Sequence, residues 1–240
     1  MNKSHADFSR QIQNMFGAIA PKYDFLNRAL SCGRDRYWRR KAVDALAPRP
    51  GDRCLDIATG TADVALEIAS RDPGNIRVVG VDFSSQMLEL GSRKVRARNM
   101  ERSIALQQGM AESLAFANGS FHGIVTAFGI RNFSDREKGL KEMWRVLKSK
   151  GRVVILEFSL PANPVLGLLY RLYFERLLPW IGRRVSGHRS AYSYLPRSVG
   201  EFPGPREFVL MMKKTGFQDV AYRNLTFGIA TVYTGFKYAS

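Results

Sequence analysis

Cys54-Leu55-Asp56-Ile57-Ala58-Thr59-Gly60-Thr61-Ala62-Asp63 is the stretch whose reading decides the fold. Leu55 and Ile57 are the apolar residues of a buried strand, small residues then turn the chain, and Ala65, Leu66 and Ile68 begin a face of 3.6-residue period. A strand that turns and passes straight into a helix is a ligand site. The first N–H groups of the helix have no partner within it and carry the positive end of its dipole, so the turn suits a carboxylate or a phosphate.

Three ligands compete for that turn. A phosphate-binding loop needs a Lys-Ser/Thr pair after its glycines, and none follows Gly60. A dinucleotide site wants G-x-G-x-x-G so that a pyrophosphate can approach the backbone, and here a single glycine stands. What remains is a nucleoside that carries a carboxylate and no phosphate, as S-adenosylmethionine does. Val78-Val79-Gly80-Val81-Asp82 agrees, since it ends a second strand on an acid 22 residues after Gly60, where a carboxylate can hold both ribose hydroxyls. A helix N-cap is the other use for Asp82.

Outward from this unit, strands and helices alternate. Strands are expected over 53–57, 76–81, 104–107, 122–128 and 152–158, and helices over 63–70, from the cap Ser84 onward, and over 134–147. A helix at 8–19, a second segment at 23–30 and a helix at 37–46 come before, with 37–46 stopped by Pro48 and Pro50. After Pro161 the alternation breaks off: 166–178 is apolar and aromatic, 185–203 is polar, 205–214 is helical, and 220–225 with 229–237 forms a hairpin across Thr226-Phe227-Gly228. Alternation of this kind means a doubly wound α/β fold, a mostly parallel seven-stranded sheet with helices on both faces and an antiparallel last strand. The expected organisation is one domain over 1–240, with an N-terminal helical lid at 8–47 and a substrate-binding insertion at 161–204.

The chain has 240 residues, and 37 basic against 21 acidic residues give a net charge of +16. Such an excess points to an anionic partner, nucleic acid or a membrane surface, or else belongs to a soluble basic protein. Nucleic acid is disfavoured, because the basic residues are spread over many helices without aromatic interleaving, and an anionic membrane surface is preferred. Two cysteines, Cys32 and Cys54, make no disulfide framework and fit a reducing compartment. Neither a signal peptide nor a spanning segment is read, so the expected location is cytoplasmic, peripheral on the inner face of the membrane. No His/Cys/Asp cluster has metal-ligand spacing, so no metal is expected. His122 is read as structural. A homodimer is left open.

Several motifs on separate elements carry a resemblance. Tyr23-Asp24-Phe25-Leu26-Asn27, Ser31-Cys32-Gly33, Trp38-Arg39-Arg40, Phe128-Gly129-Ile130-Arg131-Asn132, Arg145-Val146-Leu147-Lys148, Tyr192-Ser193-Tyr194-Leu195-Pro196-Arg197-Ser198, Glu201-Phe202-Pro203 and Asn224-Leu225-Thr226-Phe227-Gly228 are quoted as they stand. The chain resembles the ubiquinone/menaquinone biosynthesis C-methyltransferases, within the Rossmann-like class I S-adenosylmethionine-dependent methyltransferases. It departs from the generic class motif by Ala58 and Ala62 at the outer glycine positions.

The resemblance implies that S-adenosylmethionine is the methyl donor and that the substrate is a prenylated quinol. By motif match Gly60 and Thr61 lie beside the methionine part, Asp82 binds the ribose, Met110 and Ala111 flank the adenine, Tyr23 forms a lid, and Ala127 stands where relatives often carry Ser. Many relatives also carry Asn or Asp in place of Met110. The catalytic candidates are Arg131, Asp24, Tyr192 and Tyr194, with His188 as a further proton relay. Arg131 has five donors and suits an oxyanion, with an ion pair to Asp24 or Asp135 as its structural alternative. Asn132 either positions the same group or caps the helix after it, and capping is the preferred reading. The run 165–181 suits a membrane surface or prenyl groove, or else a lid helix packed on the sheet. Other readings are a methyltransferase for another lipid or phenol, and an RNA methyltransferase or nucleic-acid-binding protein.

Overall fold

A computed structural model of the chain describes residues 28, 31, 33–161, 163, 167 and 189–238. The expected helix at 8–19, the segment 23–30 apart from Arg28, the run 165–181 apart from Gly167, and Tyr23, Asp24, Cys32 and His188 lie outside the described residues. In chain order the elements are α1 (Arg34–Leu46), β1 (Arg53–Ile57), α2 (Asp63–Ala69), β2 (Arg77–Asp82), α3 (Ser85–Ala97), β3 (Ile104–Gln108), β4 (Phe121–Ala127), α4 (Arg136–Val146), β5 (Leu147–Phe158), α5 (Arg189–Gly200), α6 (Pro205–Thr215), β6 (Gln218–Leu225) and β7 (Ala230–Lys237).

The strands form one seven-stranded sheet in the order β3-β2-β1-β4-β5-β7-β6. β1 to β5 run parallel, and β7 lies antiparallel to both β5 and β6. Side chains alternate between two cores. Cys54, Val78, Val125, Val154 and Val232 face α1, α2 and α3, whereas Leu55, Ile57, Val79, Ile124, Ile155 and Tyr233 face α4 and α6. Both faces are apolar because both are covered, as a parallel sheet requires. β1 is hydrogen-bonded to β2 on one side and β4 on the other, so the strand order reverses there. A crevice opens at such a switch point, outside the carboxyl ends of the strands.

α1 packs on the sheet through Trp38, Ala42, Val43 and Leu46. Each of the large side chains contributes about 1.5–3 kcal/mol on burial. That exceeds the 0–1 kcal/mol of an exposed ion pair, so packing rather than surface charge holds the helix. Trp38 Nε1 adds a hydrogen bond to Thr226 Oγ1 at 2.7 Å, tying α1 to the β6–β7 turn.

Two elements differ from expectation. β5 begins at Leu147 rather than at 152, because Leu147 pairs with Phe121 across a register shift before the regular ladder starts. The polar stretch at 185–203 contains helix α5, which carries Pro196 inside it. Proline removes a backbone donor and disfavours helical geometry in the residue before it, so the local pattern there reads as loop. Among the described residues no helix is long and apolar enough to cross a membrane.

Candidate functional site

The loop after β1 is held in an uncommon conformation. Ala58, Gly60 and Ala62 have φ of 56°, 55° and 65°. An L-residue in that left-handed region costs about 1–2 kcal/mol, which is why glycine is the ordinary choice. Space opposite each alanine offsets part of the cost. A Cβ on Gly129 would come within 2.5 Å of the Ala58 Cβ, and a Cβ on Gly91 within 3.2 Å of the Ala62 Cβ. Glycines stand across the interface from both alanines.

Two buried acids brace this loop. Asp56 is 1% exposed, and its Oδ2 accepts from Thr59 Oγ1 at 2.6 Å and from Ala65 N at 3.1 Å, joining strand, loop and helix. Burial pushes its carboxyl up to about 7. Asp82 accepts from Gly60 N at 2.8 Å through Oδ2 and from Ser84 N at 2.9 Å through Oδ1, and burial pushes it up to about 6. The N-cap of α3 is Ser84, so Asp82 is not spent on capping.

Thr61 is bonded toward α3. Its hydroxyl accepts from Lys94 Nζ at 2.8 Å, and Lys94 also pairs with Asp63 at 2.7 Å. Asp63 is held in turn by Arg39 at 3.0 Å, and Arg39 by Asp35 at 2.8 Å. Burial raises the Asp63 carboxyl, but Arg39 and Lys94 outweigh it and keep it below the usual carboxylate range. The chain of charges fastens α1, α2 and α3 together behind the loop.

The crevice itself is a cleft with Ile57, Ala58, Val81, Asp82 and Phe83 on the β1–β2 side. Gly109, Met110, Ala111 and Glu112 follow β3, and Gly129, Asn132 and Phe133 follow β4. Of the cofactor candidates, Asp82, Met110 and Ala111 line it; Gly60 reaches it only through its bond to Asp82, and Ala127 packs into the core beside α1. The cleft fits a phosphate-free nucleoside. Its walls are apolar where a base would lie, and the Asp82 carboxylate, which meets the backbone N–H groups of Gly60, Ser84 and Phe83, keeps acceptor capacity for a ribose hydroxyl. Among the described residues that line it there is no Lys or Arg to hold a phosphate.

Glu112 is a site residue that sequence reasoning misses. Its Oε1 accepts from Ser134 N at 2.7 Å and Ser134 Oγ at 2.8 Å, fixing the loop after β3 to the approach to α4. Its signal is an acid in a loop near a glycine, too common to single out.

At the ends of β4 and β5 the arrangement corrects two expectations. Among the described residues Arg131 pairs with Glu157 at 2.7 Å, and not with Asp135; its Nη1 also donates to Phe128 O at 2.6 Å. Both side chains are buried, with Glu157 fully so, and the guanidinium lies 5.3 Å from the Phe158 ring centroid. Asp135 instead caps α4, accepting from Lys138 N at 2.9 Å. Asn132 therefore does not cap that helix. Its Oδ1 accepts from Tyr194 Oη at 2.8 Å, a bond from the β4 end to α5. Tyr192 lies on the same helix. Glu157, also missed by sequence reasoning, has a visible signal as the single acid in Val153-Val154-Ile155-Leu156-Glu157-Phe158. His122 sits at the opposite, amino-terminal edge of the sheet, where its Nδ1 accepts from Arg53 N at 2.9 Å.

A seven-stranded sheet of this order, with a nucleoside cleft at its switch point and an antiparallel seventh strand, defines a class I methyltransferase. A solved S-adenosylmethionine-dependent methyltransferase of Thermotoga maritima has the same fold, with a TM-score of 0.64 over 94% of this chain and 99% of that one at 20% identity. The chain belongs to the ubiE/COQ5 methyltransferase family, whose model matches residues 3–237. It is 53% identical over 227 residues to the ubiquinone/menaquinone biosynthesis C-methyltransferase UbiE of Geotalea daltonii, covering 95% of this chain and 96% of that protein. It is 49% identical over 232 residues to the demethylmenaquinone methyltransferase of Deinococcus radiodurans, covering 96% and 94%.

Proposed function

We infer that the protein methylates a ring carbon of a prenylated hydroquinone, taking demethylmenaquinol to menaquinol or acting on the equivalent ubiquinone precursor, with S-adenosylmethionine as methyl donor. The observation that carries this reading is the near full-length likeness to relatives named for that C-methylation. The cleft supports the cofactor. Asp82 would take the ribose hydroxyls, and Val81, Phe83, Met110 and Ala111 would enclose the base. Bound there, the sulfonium supplies an electrophilic methyl group.

The chain's own work concerns the ring. A neutral aromatic carbon is a poor nucleophile, whereas loss of a phenolic proton places electron density on the ortho carbon. The net exchange is one ring hydrogen, released as a proton, for one methyl group. The protein therefore has to orient the ring beside the cleft, favour the phenolate and let the ring proton escape. Asn132 lines the cleft and is bonded to Tyr194 of α5, and the neighbouring Arg131 has its charge balanced by Glu157. Asp24 and Tyr192 remain catalytic candidates from the sequence alone, and Tyr23 a cofactor one.

Incubation with methyl-labelled S-adenosylmethionine and prenylated naphthoquinol and benzoquinol tests the reading. Label in the ring methyl of one of them is expected, and transfer to neither overturns it. A substrate with a prenyl tail is held in lipid, and the net charge of +16 favours approach to an anionic surface. Pelleting with phosphatidylglycerol vesicles but not with neutral ones is the expected outcome for that part of the reading.

A further inference from the structure

Asn132 stands where the two halves of the site meet, lining the cofactor cleft and bonded at 2.8 Å to Tyr194 of α5. A primary amide has an acceptor end and a donor end, so whichever end one partner holds decides what the other end presents. Among the described residues, the acceptor that the Tyr194 hydroxyl meets is Asn132 Oδ1. The opposite amide orientation would turn Nδ2 to the phenol and leave the phenolic hydrogen without that acceptor. With Oδ1 taken, the two N–H groups of Nδ2 meet no acceptor among the described residues and are left for what lies beside the cleft.

We propose that Tyr194 fixes the Asn132 amide so that its NH2 donates to the ring oxygen of the hydroquinone as that oxygen becomes a phenolate. This rests on the quinol reading above and gives it a catalytic residue, Asn132, and a positioning residue, Tyr194. Two further features suit the assignment. The charge of Arg131 is balanced by Glu157, which its Nη1 meets together with Phe128 O, so a neutral donor serves the oxyanion without adding a mobile cation. Tyr194 stays a protonated donor, since burial and Glu157 push its phenol up against the opposing pull of Arg131, Arg136 and Arg197. The amide neither gains nor loses a proton; the hydroxyl proton of the substrate passes to solvent or to a separate base.

The test is steady-state kinetics with a prenylated hydroquinone across pH, together with calorimetric binding of S-adenosylhomocysteine. Asn132→Ala is expected to lower kcat about 10- to 100-fold, the worth of one well-placed donor to a developing oxyanion. Asn132→Asp, which removes the donors at constant shape, falls at least as far and loses more at high pH. Tyr194→Phe lowers kcat about tenfold, moves the rising limb of the pH profile to higher pH, and adds nothing in the Asn132→Ala background. Binding of S-adenosylhomocysteine is unchanged by Tyr194→Phe. An effect of Tyr194→Phe that persists in full without Asn132, or a pH limb that does not move, overturns the positioning role. Weaker S-adenosylhomocysteine binding by Asn132→Ala with unchanged kcat overturns the catalytic one. A wild-type protein that transfers no methyl to the quinol overturns the functional reading as well, whereas an active wild type with indifferent variants overturns this inference alone.

Discussion

On the cofactor side of the site, Asp56 holds Thr59 and Ala65, three and nine residues further on, and Asp82 holds Ser84 two residues away and Gly60 across one βα unit. On the side proposed for the substrate, Arg131 meets Glu157 across 26 residues and Asn132 meets Tyr194 across 62. The first half is made of backbone amides and short acids that the strand-turn-helix brings together as it forms. The second is made of side chains that meet only when β4, β5 and α5 have assembled. Local construction gives a cofactor cleft that resists change at single positions outside its acids. Long-range construction leaves the ring-binding half dependent on a few pairs.

The largest expected effect breaks one of those pairs. Arg131→Ala leaves Glu157 fully buried without its cation, which costs about 3–5 kcal/mol. Denaturant melts should show this loss, and Arg131→Ala with Glu157→Gln should recover most of it. A single variant as stable as wild type would deny that the pair is the joint of this half. Turnover of Arg131→Ala is therefore best read in the Glu157→Gln background.

Asp82→Asn attacks the other half. It exchanges a carboxylate for an amide at the position offered to the ribose, and hydrogen bonds to a charged acceptor are worth about 1.5–3 kcal/mol each. Calorimetry should find S-adenosylhomocysteine bound about 100-fold more weakly; an unchanged dissociation constant would remove Asp82 from the cofactor site.

The raised acids make the cofactor half pH-sensitive. Asp82 titrates at about 6, so affinity for S-adenosylhomocysteine should fall by up to about tenfold per pH unit below that point, and Asp82→Asn should flatten the curve. Asp56 acts on stability with a definite sign. Its native value of about 7 lies above the ordinary carboxylate value of 3.8, so the folded state keeps a proton that the unfolded chain has lost. Its contribution is fully present below about pH 4 and is lost as pH rises to 7. Asp56→Asn should remove that slope from melts taken between pH 4 and 8.

The smallest effect concerns the alanines of the loop. Ala62→Gly relieves a φ of 65° at a helix N-cap that makes no side-chain hydrogen bond. It should add about 1 kcal/mol or less, offset in part because the Ala62 methyl no longer fills the space beside Gly91. A rise of about 2–4 °C in Tm is expected, and a fall would show that the packing of that methyl outweighs the backbone strain.

Legibility in the sequence follows the same division. β1 coincides with its expected bounds, and the Ser84 cap and the β6–β7 hairpin stand where expected, because period, capping and turn chemistry are properties of a few consecutive residues. Helix α5 is hidden from a local reading because Pro196 interrupts its signal, and contacts with the turn at 130–132 override that preference. Glu157 is visible as an acid in an apolar strand, yet nothing local chooses its partner among 37 basic residues.

By itself the sequence determined the alternation of strands and helices, the ligand-binding turn at Asp56 to Asp63 and the membership of a methyltransferase family, since hydrophobic period and motif chemistry are written along the chain. The tertiary structure decided that Thr61 faces Lys94, that Arg131 is neutralised by Glu157 and that Tyr194 holds the Asn132 amide. Hydrogen bonds and buried ion pairs act over about 3 Å, and which groups come that close is set by sheet register and helix docking rather than by position in the chain.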